Sequence, residues 1–143
     1  MSAALDRFLR HRATLAALQV ATGLLFLAAA LPKIADPAAF AAQVHHYRLV
    51  PFGLENLLAI TVPWIELTAA LAILTRVHPR AGSWVAASLL AVFTAAVAAA
   101  AARHLDIRCG CFGTADAARV GTAKLIENLG LLAIAALAGR RPC

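Results

Sequence analysis

The sequence predicts an all-α integral membrane protein: a four-transmembrane-helix bundle with a short interfacial helix between the first and second spans. Two observations carry this expectation. Of the 143 residues, 62% are hydrophobic and only 14% charged, and the mean hydropathy is +0.80, far more apolar than an ordinary soluble domain. Four apolar runs, at residues 13–31, 56–74, 81–102 and 120–138, are each long enough as helices, at ~1.5 Å per residue, to cross a hydrocarbon layer of ~30 Å with modest tilt. No soluble domain of useful size remains outside these runs, so residues 1–143 read as one membrane domain.

The formal charge of +6 does not point to nucleic acid. The basic residues stand at the ends of apolar runs and are not gathered on one face, so they are topology signals. Arg7, Arg10 and Arg12 precede the first run, and Ala28-Ala29-Ala30 resembles a signal-peptide cleavage site. The run is long for a signal core, so it is expected to be retained as a span. With four spans, one side carries Arg7, Arg10, Arg12, Arg76, Arg80, Arg140 and Arg141, and the other Lys33, Arg48, Arg103, Arg108 and Arg119. The richer side is expected to be cytoplasmic. Both termini then face the cytoplasm of an inner, cytoplasmic membrane, and Cys109 and Cys111 face the extracytoplasmic compartment, where disulfides persist. Cys143 falls on the opposite side, as an incidental terminal thiol.

Between the first two spans, Asp36-Pro37 supplies an N-cap and a proline at the first helical position, and residues 38–49 contain good helix formers. Phe40, Val44 and Tyr47 share a face. A helix lying in the interface follows, with Tyr47 as a headgroup-level anchor and Arg48 meeting phosphate. His45 and His46 point in different directions, so a shared ion is not expected, although an imidazole titrates in a range suited to proton movement. Pro51-Phe52-Gly53 turns the chain into the second span. In the third span, the run from Ala95 to Ala102 offers small side chains for close helix approach. Gln19, Thr22 and Gly23 share a face of the first span suited to the same role.

Chemistry concentrates at Cys109-Gly110-Cys111-Phe112-Gly113, a polar break between two apolar runs. Residues two apart lie at most about 7 Å apart at Cα, and a disulfide needs roughly 4.4–6.8 Å, so the pair can close if the chain bends. Gly110 makes that bend easy. So small a ring is expected to be strained and exchangeable, and Arg108 beside it favours a thiolate. An inert pair is the plain alternative. A site made with His104 and Asp106 lacks the spacing of a common zinc module, so no metal is expected.

The second constellation is charge inside the spans. Glu66, midway along the second span, must be protonated, paired or wetted. Lys124, Glu127 and Asn128 share one face of the fourth span, and Lys33 at the outer end of the first can join them. These five residues form an expected polar pocket beneath the cysteine loop, alternatively an ion-pair network that only holds helices together. Trp64, just above Glu66, and Phe112 are candidates to pack against a planar ligand, with plain packing as the alternative.

Several of these stretches together resemble the MauE-type proteins of methylamine utilisation, within the wider DoxX-like group of four-helix membrane proteins. They are Gly23-Leu24-Leu25-Phe26 leading to Pro32-Lys33, Asp36-Pro37, Tyr47-Arg48-Leu49-Val50-Pro51, Pro63-Trp64-Ile65-Glu66-Leu67 and the cysteine motif. The resemblance implies extracytoplasmic disulfide chemistry, or maturation of a cysteine-rich partner, in that family the small subunit of methylamine dehydrogenase. It also implies companionship with thioredoxin-like proteins. On this reading the chain is a membrane thiol-disulfide oxidoreductase, with one of Cys109 and Cys111 exchanging with the partner and the other resolving. Either a membrane quinone takes the electrons, with Lys33, Glu66 or Lys124 handling protons, or another protein does, and flow in the reducing direction is equally compatible. The competing classes are a non-catalytic membrane assembly factor and a small-solute carrier, each with a structural cysteine pair.

Overall fold

A computed structural model describes residues 3–9, 11–112 and 117–141. Arg10, Gly113 and Cys143, which figure in the sequence reading, lie outside them. The described residues fold into six helices: α1 (Ala3–Leu9), α2 (Arg12–Ala35), α3 (Pro37–His46), α4 (Leu54–Leu74), α5 (Pro79–Ala102) and α6 (Thr122–Ala138). Extended structure among them is limited to an isolated antiparallel bridge between Arg108 and Arg119. Helices α2, α4 and α5 are each long and apolar enough to cross a membrane, which makes this a multi-pass membrane protein. Helix α6 is shorter, at 17 residues.

Four helices close a ring in which α2 packs on α4, α4 on α5, α5 on α6 and α6 back on α2, while α3 lies against α4 and α2. The outer surface is apolar: Leu24, Leu57, Ile60, Val92 and Ile126 are all exposed. The interior holds polar Gln19, Thr22, Lys33, Glu66, Thr94, Lys124 and Asn128. That inversion suits a lipid solvent, in which polar groups must find partners inside the protein. The Thr22 and Thr94 hydroxyls donate to the carbonyls of Leu18 and Leu90 one turn earlier, at 2.8 and 2.6 Å. The Gln19 amide donates to the Ala138 carbonyl at 3.0 Å, binding the start of α2 to the end of α6.

Small residues set the helix spacing. Ala70, Ala86, Ala87 and Ala135 form a central cluster with Phe26 and Leu90, and Val97 and Ala100 of the Ala-rich run are fully buried. Close backbone approach of this kind replaces the hydrophobic driving force that lipid removes. Gly82 marks a contact that cannot relax, because a Cβ there would stand 2.8 Å from the backbone oxygen of Ala69, which cannot move aside as a side chain can.

Helix α3 begins as expected, with the Asp36 carboxylate accepting from the Ala39 amide at 3.0 Å and Pro37 in the first turn. It ends earlier than its composition suggests. Arg48 adopts a left-handed backbone with φ 52°, and the Arg103 guanidinium donates to the carbonyls of Tyr47 and Arg48. Those bonds satisfy carbonyls left open past the helix end, and Pro51 has no N–H to offer that of Tyr47.

Replacing Gly82 by Ala is expected to force α4 and α5 apart, at a cost of about 1–3 kcal/mol. Gly130→Ala, where nothing stands within 4 Å of the new methyl, is expected to be neutral or slightly stabilising. Unfolding of the two variants in detergent, followed by circular dichroism, checks the contrast.

Candidate functional site

The segment between α5 and α6 folds back over one end of the bundle and carries the cysteines. Its arms pair through the Cys109 amide donating to Ala118 O at 2.8 Å and the Val120 amide donating to Ile107 O at 2.9 Å. Leu105, Ile107 and Val120 pack against Tyr47, Val97, Ala100 and Cys109, so apolar contacts seat the loop. Arg119 and Asp106 form an exposed ion pair across its base. Gly110 has φ 76°, a backbone that favours glycine, and a Cβ there would lie 2.7 Å from Gln43 Oε1, so the Gln43 side chain would have to shift.

This turn brings the Cys109 and Cys111 sulfurs to 3.8 Å, with both thiols free. Their surroundings differ. Cys109 is fully buried and Cys111 partly accessible. The Tyr47 hydroxyl donates to the Cys109 carbonyl at 2.5 Å, and Cys111 Sγ lies 3.9 Å from Asn128 Oδ1. Hydrogen bonding from Cys111 holds the Cys109 thiol below its ordinary value, with further help from Lys124 and Tyr47 and against the opposing effect of burial. The same hydrogen bond, burial and the charge on Cys109 push Cys111 up. The buried sulfur is therefore the one whose thiolate is the more favoured, and the other is a more accessible thiol.

The cation that acts on Cys109 is Lys124. Arg108, the sequence-level candidate, is exposed and contributes its backbone to the loop bridge. Lys124 Nζ lies 3.1 Å from Glu127 Oε1 and 6.0 Å from the centre of the Phe112 ring. Lys33 and Glu66 make a separate pair, with Nζ 2.8 and 3.0 Å from the two carboxylate oxygens, and Lys33 also sits 4.9 Å over the Phe40 ring.

Beneath the loop, between α2, α3, α4 and α5, is a cavity of about 480 Å³. Its lining is mostly Leu, Val, Phe and Ala, with Cys109, Gly110, Cys111 and Phe112 on the loop side and Lys33, Glu66 and Gln43 as its charged and amide members. The five predicted pocket residues are thus divided. Lys33 and Glu66 line this cavity, while Lys124, Glu127 and Asn128 do not. Asn128 is fully buried beside Cys111, whereas the Glu127 side chain is about half exposed. Phe112 lines the cavity; Trp64 is 56% exposed and lies outside it.

Tyr47 corrects the sequence reading. It is 6% exposed and bonds the cysteine loop, where a headgroup anchor was expected. Its spacing from Phe40 and Val44 already placed it on the apolar face of α3, and that pattern was the better guide. Of the two histidines, His45 Nδ1 lies 3.2 Å from Glu55 Oε1, which ties α3 to the start of α4. Gln43 was not singled out by sequence, because a glutamine on a short helix carries no signal until its neighbours are known.

These features define a helical multi-pass membrane protein with a dithiol loop seated over an apolar chamber. The chain belongs to the MauE family: the family described as "Methylamine utilisation protein MauE" matches residues 11–140. It is similar to the methylamine utilization protein MauE of Paracoccus denitrificans, 33% identical over 129 residues, covering 90% of this chain and 69% of that protein. The MauE protein of Methylophilus methylotrophus is 33% identical over 112 residues, covering 76% of this chain and 58% of the relative. That of Methylorubrum extorquens is 32% identical over 109 residues, covering 76% and 59%. The chain thus spans a little under three fifths of the length of these last two. No solved structure matches it significantly.

Because the folded value of Cys109 is depressed, its thiolate is favoured above that value and lost as pH falls through it. Thiolate ultraviolet absorbance is expected to titrate below the ordinary value of 9.0, and Lys124→Met to move the titration upward. Tyr47→Phe leaves a buried carbonyl unpaired and is expected to cost about 1–3 kcal/mol, read in the thermal unfolding of the reduced protein.

Proposed function

We propose that this chain is a thiol-disulfide oxidoreductase of the cytoplasmic membrane that accepts electrons from an extracytoplasmic thiol partner. The observation that carries the reading is the asymmetric pair: two sulfurs 3.8 Å apart, one buried and one reachable, at one end of the bundle. In the oxidised form a partner thiolate attacks Cys111, the accessible sulfur. The Cys109–Cys111 bond breaks as a partner–Cys111 disulfide forms, and Cys109 leaves as the thiolate its surroundings stabilise. A low-pKa leaving group speeds such exchange. The partner's second thiolate then attacks the mixed disulfide and releases Cys111, which takes a proton. Two electrons have passed to this chain, and the partner has gained a disulfide.

Helix α6 serves as a fourth span in this proposal, and α3 lies at the interface. The distribution of basic residues supports both termini in the cytoplasm and the loop outside. The partner is a thioredoxin-like or cysteine-rich extracytoplasmic protein. The names of the relatives tie the chain to methylamine utilisation, and the client implied by the resemblance is the small subunit of methylamine dehydrogenase.

A thioredoxin-like probe stripped of its resolving cysteine tests the assignment. Cys109→Ser is expected to trap a mixed disulfide through Cys111, and Cys111→Ser to trap at least tenfold less. Partner maturation that persists in both variants, with no trapped species in either, would instead identify a non-catalytic assembly factor. Labelling of Cys111 only by a reagent confined to the cytoplasmic side sinks the topology and the mechanism together.

A further inference from the structure

Electrons received by Cys109 and Cys111 need an exit. The chain has three cysteines, too few for a second pair to pass them on. Both residues of the existing pair line the same cavity, and Cys111 is the partly accessible one, so an acceptor bound there would meet the pair at Cys111.

The cavity's chemistry narrows the acceptor. Its volume of about 480 Å³ falls within the ~300–1,000 Å³ of small-molecule sites, and its make-up, apolar and aromatic with a few placed polar groups, is also theirs. Phe26, Phe40, Phe93 and Phe112 supply flat apolar surface. Lys33 supplies N–H donors held by Glu66. Gln43 brings an amide whose carbonyl oxygen is buried without a hydrogen-bond partner. Leu49 and Val92, which also line the cavity, are exposed on the apolar exterior, so the chamber communicates with the lipid phase. A lipid acyl chain would account for the apolar walls and leave Lys33 and Glu66 to their mutual pairing, but it would offer the buried Gln43 amide oxygen no partner.

We propose that this chamber is a quinone site, in which Lys33 donates to a ring oxygen, the Gln43 amide oxygen accepts from a ring hydroxyl once the quinol has formed, and the Cys109–Cys111 pair is the electron donor. The proposal rests on the redox reading above and names its acceptor. The two thiols give up two electrons and two protons and form one S–S bond. The quinone takes up both electrons and both protons and leaves as the quinol. An isoprenoid tail runs past Leu49 and Val92 into lipid, and Glu66 is a positioning residue that holds Lys33 in place.

The test uses the full chain, reduced, freed of reductant and held in lipid nanodiscs, with a fully substituted short-chain ubiquinone as probe. One quinol is expected for every two thiols lost, and none from the Cys109→Ser/Cys111→Ser double variant. Glu66→Gln and Lys33→Met are expected to lower quinol formation at least tenfold relative to thiol exchange measured in the same samples. Ala96→Phe, which narrows the chamber without touching a charge, is expected to raise the half-saturating quinone concentration at least tenfold, and keeps the proposal open to refutation if the charge variants fail to fold. Exchange with the thioredoxin-like probe without quinol formation overturns the quinone site alone. Loss of both overturns the redox reading as well. Quinol formation insensitive to all three chamber variants, or a chamber occupied only by acyl chain, also overturns the site.

Discussion

Glu66 stands near the middle of α4, a helix otherwise apolar enough to cross a membrane, and Lys33 stands near the end of α2, another such helix. The Glu66 charge is costly there alone, since a single ionised group at the centre of a span costs on the order of 3 kcal/mol by insertion scales. Their mutual contact at 2.8 Å removes that difficulty only in one register of α2 against α4. Breaking a buried pair by deleting one partner typically costs about 3–5 kcal/mol, because the survivor is left unpaired. The pair therefore fixes the relative height of the two helices, and the cavity, the seat of α3 and the landing place of the cysteine loop follow from that height.

A second set of contacts carries this order to the thiols. Asp36 caps α3, Arg103 closes its other end, and Tyr47 reaches from there to the Cys109 carbonyl. The loop is thus bonded to the helix that the first two spans hold in place. A flexible loop would let the two sulfurs adopt many separations. One anchored by a buried phenol and by its own short ladder presents a single arrangement, with Cys109 shielded and Cys111 partly accessible. The distinction between the two cysteines is a property of packing, as their sequence neighbours do not differ enough to create it.

Much of this was legible in the chain. Long apolar runs, the Asp36-Pro37 start of α3, the Ala-rich close approach in α5 and the Cys-Gly-Cys turn all follow from local rules that depend on nearest neighbours along the sequence. Glu66, Lys33 and Lys124 also stood out, because a charge in an apolar run demands an explanation wherever the run goes. The pairing of those charges was not legible. Sequence placed Lys33, Glu66, Lys124, Glu127 and Asn128 in one pocket, but the folded chain joins Lys33 to Glu66 on one side and Lys124 to Glu127 on another, with Asn128 beside Cys111. Arg108 was favoured for adjacency in sequence, yet the cation acting on Cys109 comes from α6.

The sequence by itself determined the class of molecule, its helices, the family it belongs to and the residues able to do chemistry, because composition and periodicity are local and the solvent, lipid or water, selects on them directly. Only the tertiary structure decided which charge meets which, that Tyr47 belongs to the cysteine loop, and that this loop borders an apolar chamber. Those facts depend on the heights and rotations of helices far apart in sequence. No local rule encodes them, since they are set by the requirement that every buried polar group find its partner at once.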